Sequence, residues 1–168
     1  MTAGVHTGDL RYFLLPAPEE SVALGDPDGT PLTPVDIVDN PNVAASTAVL
    51  KKYGFRTGFY RSYRASGGRG QFVIKLAQFA SPALTAAYYR QHHYSGAEIR
   101  PLKLDEPFPV GAEQTIPGSK YHELFADTYQ GDVQVSIRVD ALADSPPPSR
   151  ALLNSLLEAQ YQRLKTGH

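Results

Sequence analysis

The clearest structural signal in this sequence is a run of alternating apolar and polar residues at positions 133–140. The odd positions are apolar and the even positions polar: Val133, Val135, Ile137 and Val139 against Gln134, Ser136, Arg138 and Asp140. Successive side chains of a strand point to opposite faces, so the run predicts a strand with one buried face. A first strand at about residues 120–126 and a turn within 127–132 complete a predicted hairpin.

An earlier part of the sequence predicts a second hairpin. Residues 56–65 and 71–80 are rich in aromatic and β-branched side chains, and the glycine-rich residues 66–70 separate them. A five-residue break of this kind between two such runs is typical of a hairpin loop.

Three helices are predicted around the hairpins. A capping residue followed by proline opens the first helix at Asn40 and Pro41, and the same pair recurs at Ser81 and Pro82. A stripe of leucines after three consecutive prolines predicts the third helix. The predicted helices cover residues 41–53, residues 83 to 93 or 94, and residues 152–164.

The order of these elements determines the predicted fold class. Helix, hairpin, helix, hairpin and helix follow one another, and hairpins make antiparallel strand pairs. We therefore predict an α+β fold in which an antiparallel sheet of two hairpins, with four strands or more, is flanked by three helices. A doubly wound parallel sheet is not expected, because single helices do not alternate with single strands. Residues 97–115 receive no assignment.

The leading part of the chain has a different character. Residues 1–40 hold seven acids and one base, with several proline and glycine breaks that favour turns. We predict an extended N-terminal arm at residues 1–38, in which residues 12–15 dock as a short strand or anchor. Residues 39–168 are predicted to form a single α+β domain, since a chain of 168 residues is long enough for one sizeable core.

The middle of the chain is strongly basic. Residues 41–100 hold nine bases against Glu98 alone, a balance of +8 within a total of −1. Arginines here are interleaved with aromatic residues, and these groups hold anions and stacked rings. The residues in question are Arg56, Phe59, Tyr60, Arg61, Tyr63, Arg64 and Arg69. Strand alternation divides them between two faces, and the alternative is a solvated sheet face that pairs with the acidic arm.

Tyrosine and histidine supply a further set of candidates. The chain has ten tyrosines and no tryptophan, and tyrosine serves equally in binding pockets and in core packing. The candidate ligand-binding residues are Arg56, Tyr60, Arg61, Tyr63, Arg64, Arg69, Tyr88, Tyr121 and His122. An alternative function is a small cofactor-free enzyme of the isomerase or cyclase type, with Tyr88, Tyr121 and His122 lining a closed pocket.

Several function classes find no support in the sequence. There is no cysteine, no G-x-S-x-G motif and no phosphate-loop motif, and the adjacent His92 and His93 would point about 100° apart on a helix. We therefore expect no catalytic residue, no metal site and no cofactor. Nucleic acid is not expected as a partner because the chain as a whole is slightly acidic. No stretch approaches the roughly 18 to 20 apolar residues of a membrane span, so we expect a soluble protein.

Two stretches resemble small exported domains of actinobacteria, among them lipoproteins and extracellular sensor domains, some with the fold of the PsbP and Mog1 proteins. The first stretch runs from the strand end Gln78-Phe79-Ala80 into Ser81-Pro82-Ala83-Leu84 and Ala86-Ala87-Tyr88-Tyr89. The second has Ser119-Lys120-Tyr121 before a strand and Gly131 in the turn. The resemblance implies a helix-flanked antiparallel sheet and a non-enzymatic role. The chain lacks a lipid-anchor cysteine and the cysteine pairs of some sensor domains.

Together these observations predict a non-enzymatic domain that binds a ligand or a protein. The basic middle block favours an anionic or amphipathic ligand, or a partner protein. The resemblance places the domain at the bacterial cell envelope if a signal peptide has been removed, and in the cytoplasm otherwise. Residues 1–9 show no basic start and no long apolar run, so no signal peptide is predicted within the sequence.

Overall fold

The computed structural model describes residues 4–65, 70–91, 99–105, 111–115, 122–141 and 148–167. The strands are β1 (Val22–Leu24), β2 (Thr30–Pro31), β3 (Phe55–Arg64), β4 (Gly70–Phe79), β5 (Ile99–Leu102), β6 (Gly111–Thr115), β7 (His122–Gln130) and β8 (Val133–Ala141). The helices are α1 (Pro34–Val38), α2 (Val43–Lys52), α3 (Pro82–Gln91) and α4 (Arg150–Thr166), and a 3-10 helix covers Leu10–Phe13.

All eight strands belong to one antiparallel sheet. Its order is β1-β3-β4-β8-β7-β6-β5, and β2 also pairs with β3. The α+β class and the antiparallel sheet are confirmed, and the two predicted hairpins form its four adjacent central strands. The prediction of two hairpins flanked by three helices is incomplete. Residues 97–115 contribute the further strands β5 and β6, and α1 is a fourth helix. Those strands are short and carry Pro101 and Gly111 rather than an alternating pattern, so no local signal marked them.

One face of the sheet carries the main apolar core. The alternating residues of β8 and β4 point to this face, where they meet α4 and the 3-10 helix. The fully buried members include Ile74, Leu76, Val135, Ile137, Leu153 and Leu157. This is the buried face that the alternation at 133–140 predicts.

Within the described residues, the opposite face is covered only in part. A smaller apolar cluster joins Leu50 of α2 and Tyr88 of α3 to Ala77 and Phe79 of β4. Helix α3, after the first hairpin, therefore lies on the opposite side of the sheet from α4, which follows the second hairpin. The part of this face that α2 and α3 leave open contains the site described below.

The turn between β7 and β8 is tighter than predicted. The sequence places a turn within residues 127–132, but β7 continues to Gln130 and only Gly131 and Asp132 form the turn. Gly131 has φ +59°, which glycine adopts without steric cost. Asp127 therefore lies within strand β7 rather than in the turn.

The helix ends follow capping rules, with shifts of a few residues. α2 begins after Asn42, whose side chain accepts from the amide of Ala45, so the predicted start at Asn40 and Pro41 is wrong by two residues. The predicted cap at Ser81 is confirmed, since its Oγ accepts from the amide of Leu84. Ser149 caps α4. No helix in the described part of the chain is long and apolar enough to cross a membrane.

The leading segment, residues 4–39, passes around one edge of the sheet. Its 3-10 helix lies on the α4 side, where Leu14 is fully buried, so residues 12–15 anchor the chain as a helical turn rather than as a strand. β1 and β2 then line the edge of β3, and α1 follows on the opposite side of the sheet. The division of the chain into an arm at 1–38 and a domain at 39–168 stays a prediction.

Candidate functional site

A cleft of about 460 Å³ lies on the sheet face opposite α4. Strands β4, β8 and β7 form its floor, while α1 and Tyr88 of α3 form its walls. The lining residues are Leu32, Asp36, Ile37, Val38, Asp39, Val73, Lys75, Ala77, Tyr88, Gln91, Ile99, Gln114, Phe125, Asp127, Gln134, Ser136 and Arg138.

The cleft is hollow because small side chains occupy the middle of its floor. Ser136 of β8 is the cross-strand partner of Lys75 on one side and of Asp127 on the other. Val73 and Ala77 flank Lys75 on the same face of β4. Lys75 and Asp127 are two strands apart, about 10 Å at the usual strand spacing, with only a hydroxymethyl group between them.

Lys75 is the most perturbed base of the floor. Its Nζ donates to the backbone oxygen of Asp36 at 2.9 Å, which ties α1 to the sheet. Burial lowers the pKa of its ammonium group, and the nearby charge of Arg138 lowers it further, while Asp36 acts in the opposite direction. A cation is therefore held where water is scarce and a second cation is close.

The Arg138 side chain extends from β8 into the cleft, and Asp140 holds the Nε atom of its guanidinium group. This Nε lies 3.1 Å from Oδ1 of Asp140 in an ion pair, and the other oxygen of this carboxylate, whose side chain is 7% exposed, accepts a hydrogen bond from Gln71. The Arg138 side chain is 38% exposed. Among the described residues, nothing accepts a hydrogen bond from its two terminal nitrogens, which are oriented by Asp140 but remain available.

Two tyrosines of α3 lie near the cleft: Tyr88 lines it, and Tyr89 stands outside its lining. The hydroxyl of Tyr88 donates to the backbone oxygen of Ile37 at 3.1 Å, and burial raises its pKa well above the usual range. The hydroxyl of Tyr89 donates to the backbone oxygen of Asp127, and burial together with the Asp127 charge raises the pKa of Tyr89 to about 12. Both hydroxyls are thus neutral donors that fasten neighbouring elements.

The acidic residues of the cleft lie in two different settings. Asp36 is exposed and caps α1, where its carboxylate accepts from the amide of Thr33 at 2.8 Å. Asp39 is exposed at the end of the same helix, in the left-handed conformation. Asp127 is the acid of the floor. The rim is therefore acidic, and the floor holds two cations and one carboxylate.

The predicted arginine and tyrosine residues of β3 do not converge on one site. Arg61 and Tyr63 lie on the α4 side and hold the leading segment. Arg61 Nη1 donates to the backbone oxygens of Leu14 and Leu15, and the Tyr63 hydroxyl donates to that of Leu15 at 2.9 Å. Arg61 thus meets backbone oxygens of the leading segment rather than its carboxylates.

The other predicted site residues are scattered. Arg56 lies exposed at a β-bulge and Arg64 is exposed near the end of β3. Tyr60 pairs with Lys75 on the cleft side but stands outside the lining. Of the predicted residues that the structure describes, only Tyr88 lines the cleft, and His122 shares the α4 side with its strand neighbour Leu124. Arg69 and Tyr121, like His92 and His93, lie outside the described residues.

The floor residues Lys75, Asp127, Ser136 and Arg138 were missed. A signal for two of them was present, because Ser136 and Arg138 form the polar side of the alternating strand, opposite its buried side. The described residues contain no group of three side chains suited to bind a metal ion.

This chain is distantly similar to a solved structure. The extracellular domain of PknH from Mycobacterium tuberculosis superimposes with a TM-score of 0.49 at 10% identity, over 70% of this chain and 69% of that chain. No family model matches the chain, and no curated protein matches it. A PsbP/Mog1-like fold is not confirmed by these comparisons.

Proposed function

We propose that this protein is a non-enzymatic binding domain whose cleft between α1, α3 and the central strands receives a small amphipathic ligand. The observation that carries the proposal is the cleft itself, a hollow of about 460 Å³ that is lined by both polar and apolar side chains. Ligand pockets typically measure about 300–1,000 Å³ and combine apolar lining with a few convergent polar groups.

The composition of the floor supports a ligand rather than a packing role. The same strands that bury Ile74, Val135 and Ile137 on one face present Lys75, Asp127 and Arg138 on the other. Partial burial of charged groups costs free energy, and apolar residues of similar volume often stabilise a protein as well or better. Charges kept at the centre of a sheet are therefore explained by a partner that they contact.

Side chains of both the wall and the floor supply the apolar half of the proposed site. Leu32, Ile37 and Val38 approach from the leading segment, and Val73 and Phe125 from the sheet. These side chains offer an apolar surface beside the polar groups of the floor, which suits a molecule with one apolar and one polar end. The enzyme alternative gains no such support, because Tyr88 and His122 lie on opposite sides of the sheet.

A cleft-filling substitution tests the proposal. N-phenyl-1-naphthylamine, a neutral probe that fluoresces in apolar surroundings, is titrated into the wild type, Ser136→Leu and the matched control Ser62→Leu. Ser62 of β3 lies on the same face of the sheet as Ser136 but outside the cleft. We expect Ser136→Leu to weaken binding at least about tenfold because its larger side chain occupies the hollow. Ser62→Leu should change binding less than about twofold.

The probe must also bind at the predicted place. Amide resonances of Lys75, Phe125 and Ser136 should shift on titration, while those of α4 should not. Unchanged affinity in Ser136→Leu, or resonance shifts confined to the α4 side, would overturn the proposed function.

A further inference from the structure

Three hydrogen-bond donors stand together on the floor of the cleft. Lys75 and Ser136 are direct cross-strand partners, and Arg138 is the next residue of β8 on the same face. Direct partners have Cβ atoms about 4.5–5.5 Å apart, and diagonal partners about 7–8 Å. An ammonium group, a hydroxyl and a guanidinium group thus come from neighbouring positions on one face of the sheet, and all three residues line the cleft.

These donors retain capacity for a ligand. The Lys75 ammonium has three protons, and its one hydrogen bond to the Asp36 backbone oxygen leaves two. Within the described residues, neither the Ser136 hydroxyl nor the terminal nitrogens of Arg138 make a hydrogen bond. The Arg138 side chain is kept in place from its inner end by Asp140.

The acidic groups around the cleft offset the two cations only in part. Asp36 and Asp39 are exposed at the rim, where water weakens their field, and the Asp36 carboxylate already accepts from Thr33. Coulomb energies fall about fourfold between the effective dielectric constant near a protein surface, about 20, and that of bulk water. Asp127 stands about two strand spacings from Lys75 but is the diagonal neighbour of Arg138, whose Nε also lies 3.1 Å from the Asp140 carboxylate.

We propose that Lys75, Ser136 and Arg138 form an anion subsite that binds the carboxylate or sulfonate group of an amphipathic ligand, whose apolar part lies against Ile37, Val38 and Phe125. The inference rests on the proposed function and specifies its ligand class. In the absence of a ligand, the charge of Arg138 lowers the pKa of Lys75. A bound anion close to both cations would offset this repulsion. The hydroxyl of Ser136 adds a neutral donor to the same group.

A pair of probes that differ by one sulfonate group tests the subsite. Anilinonaphthalene sulfonate carries a sulfonate group on the skeleton of the neutral N-phenyl-1-naphthylamine. Both are titrated into the wild type, Lys75→Met, Arg138→Gln and the control Lys51→Met, which removes an exposed cation of α2. We expect Lys75→Met and Arg138→Gln each to weaken binding of the sulfonate about tenfold and of the neutral probe less than about twofold. Lys51→Met should alter neither.

Salt dependence gives a test that needs no variant. Sulfonate binding to the wild type should weaken as salt rises, whereas neutral-probe binding should not. If the substitutions weaken both probes equally, or leave sulfonate binding unchanged, the anion subsite is refuted while the cleft remains a binding site. If neither probe binds the wild type in the cleft, the proposed function fails and the subsite with it.

Discussion

The Nδ1 atom of His6 lies 2.7 Å from Oδ1 of Asp132, which joins the leading segment to the turn between β7 and β8. The same carboxylate accepts from the backbone amide of His6 and from Nε2 of Gln78, and it is fully buried. The other ring nitrogen of His6 lies 2.9 Å from the backbone oxygen of Leu164. The His6 ring thus links the buried Asp132 carboxylate to the backbone of α4 near Leu164.

Replacement of His6 by alanine should destabilise the protein by about 3 kcal/mol, because the buried Asp132 carboxylate loses a partner that it cannot replace with water. Urea unfolding followed by circular dichroism measures the loss. Thr7→Ala, at the exposed neighbouring residue, should stay within about 0.5 kcal/mol of the wild type. Equal effects of the two substitutions would contradict the buried contact.

Leu14→Ala tests whether the leading segment belongs to the core. Leu14 is fully buried among residues of β3 and α4, so its truncation should cost about 2–5 kcal/mol. The control is Tyr12→Ala, which removes a side chain that is 77% exposed and should cost little. A loss below about 1 kcal/mol for Leu14→Ala would instead favour a loosely attached arm.

Arg61→Ala should destabilise the protein by about 2 kcal/mol without changing binding in the cleft. The guanidinium group donates to backbone oxygens of Leu14, Leu15 and Asp28, which would lose a charged donor. Arg64→Ala, at an exposed position of the same strand, should be nearly neutral. Thermal unfolding and probe titration of both variants check this, and loss of probe binding in Arg61→Ala alone would count against a purely structural role.

Glu123→Gln should make stability less dependent on pH. Burial raises the pKa of this carboxyl group above its usual value of 4.5, and the charge of Asp140 raises it further. The folded protein therefore favours the protonated form, so the carboxylate costs stability above its folded pKa and costs nothing below its unfolded pKa. We expect the variant to have a higher melting temperature than the wild type at about pH 7 and an equal one at about pH 3.5.

The exposed Glu158 of α4 provides the matched control for that experiment. Glu158→Gln should not reproduce the gain at neutral pH. A gain of the same size at both pH values in Glu123→Gln would show that packing rather than charge is responsible.

Local signals predicted the elements that depend on local sequence. The hairpin of β3 and β4, the Ser81 cap and the leucine stripe of α4 all follow from neighbouring residues, and the structure has them. β5 and β6 depend on pairing with β7, which is distant in sequence, so their short runs gave no comparable pattern. α1 did carry a signal, because Thr33, Pro34 and Asp36 form a capping box with proline at the first turn.

The site was harder to predict than the fold because it depends on which polar face stays uncovered. Alternation put Ser136 and Arg138 on the polar side of β8, but it could not show that Lys75 and Asp127 stand on either side of Ser136. The basic composition of β3 drew attention to Arg61, whose guanidinium group holds the leading segment instead. Composition reveals charge, whereas strand register decides which charges meet.

One stretch of chain, residues 10–38, covers the core beside α4 and then walls the cleft on the reverse of the sheet. Because it crosses the sheet edge without interruption, detachment from β3 would uncover both sides at once. Amide hydrogens in the 3-10 helix and in α1, although they lie on opposite sides, should then exchange with solvent through a shared opening event. A ligand bound in the cleft would then also slow hydrogen exchange of the amides in the 3-10 helix, on the α4 side of the sheet.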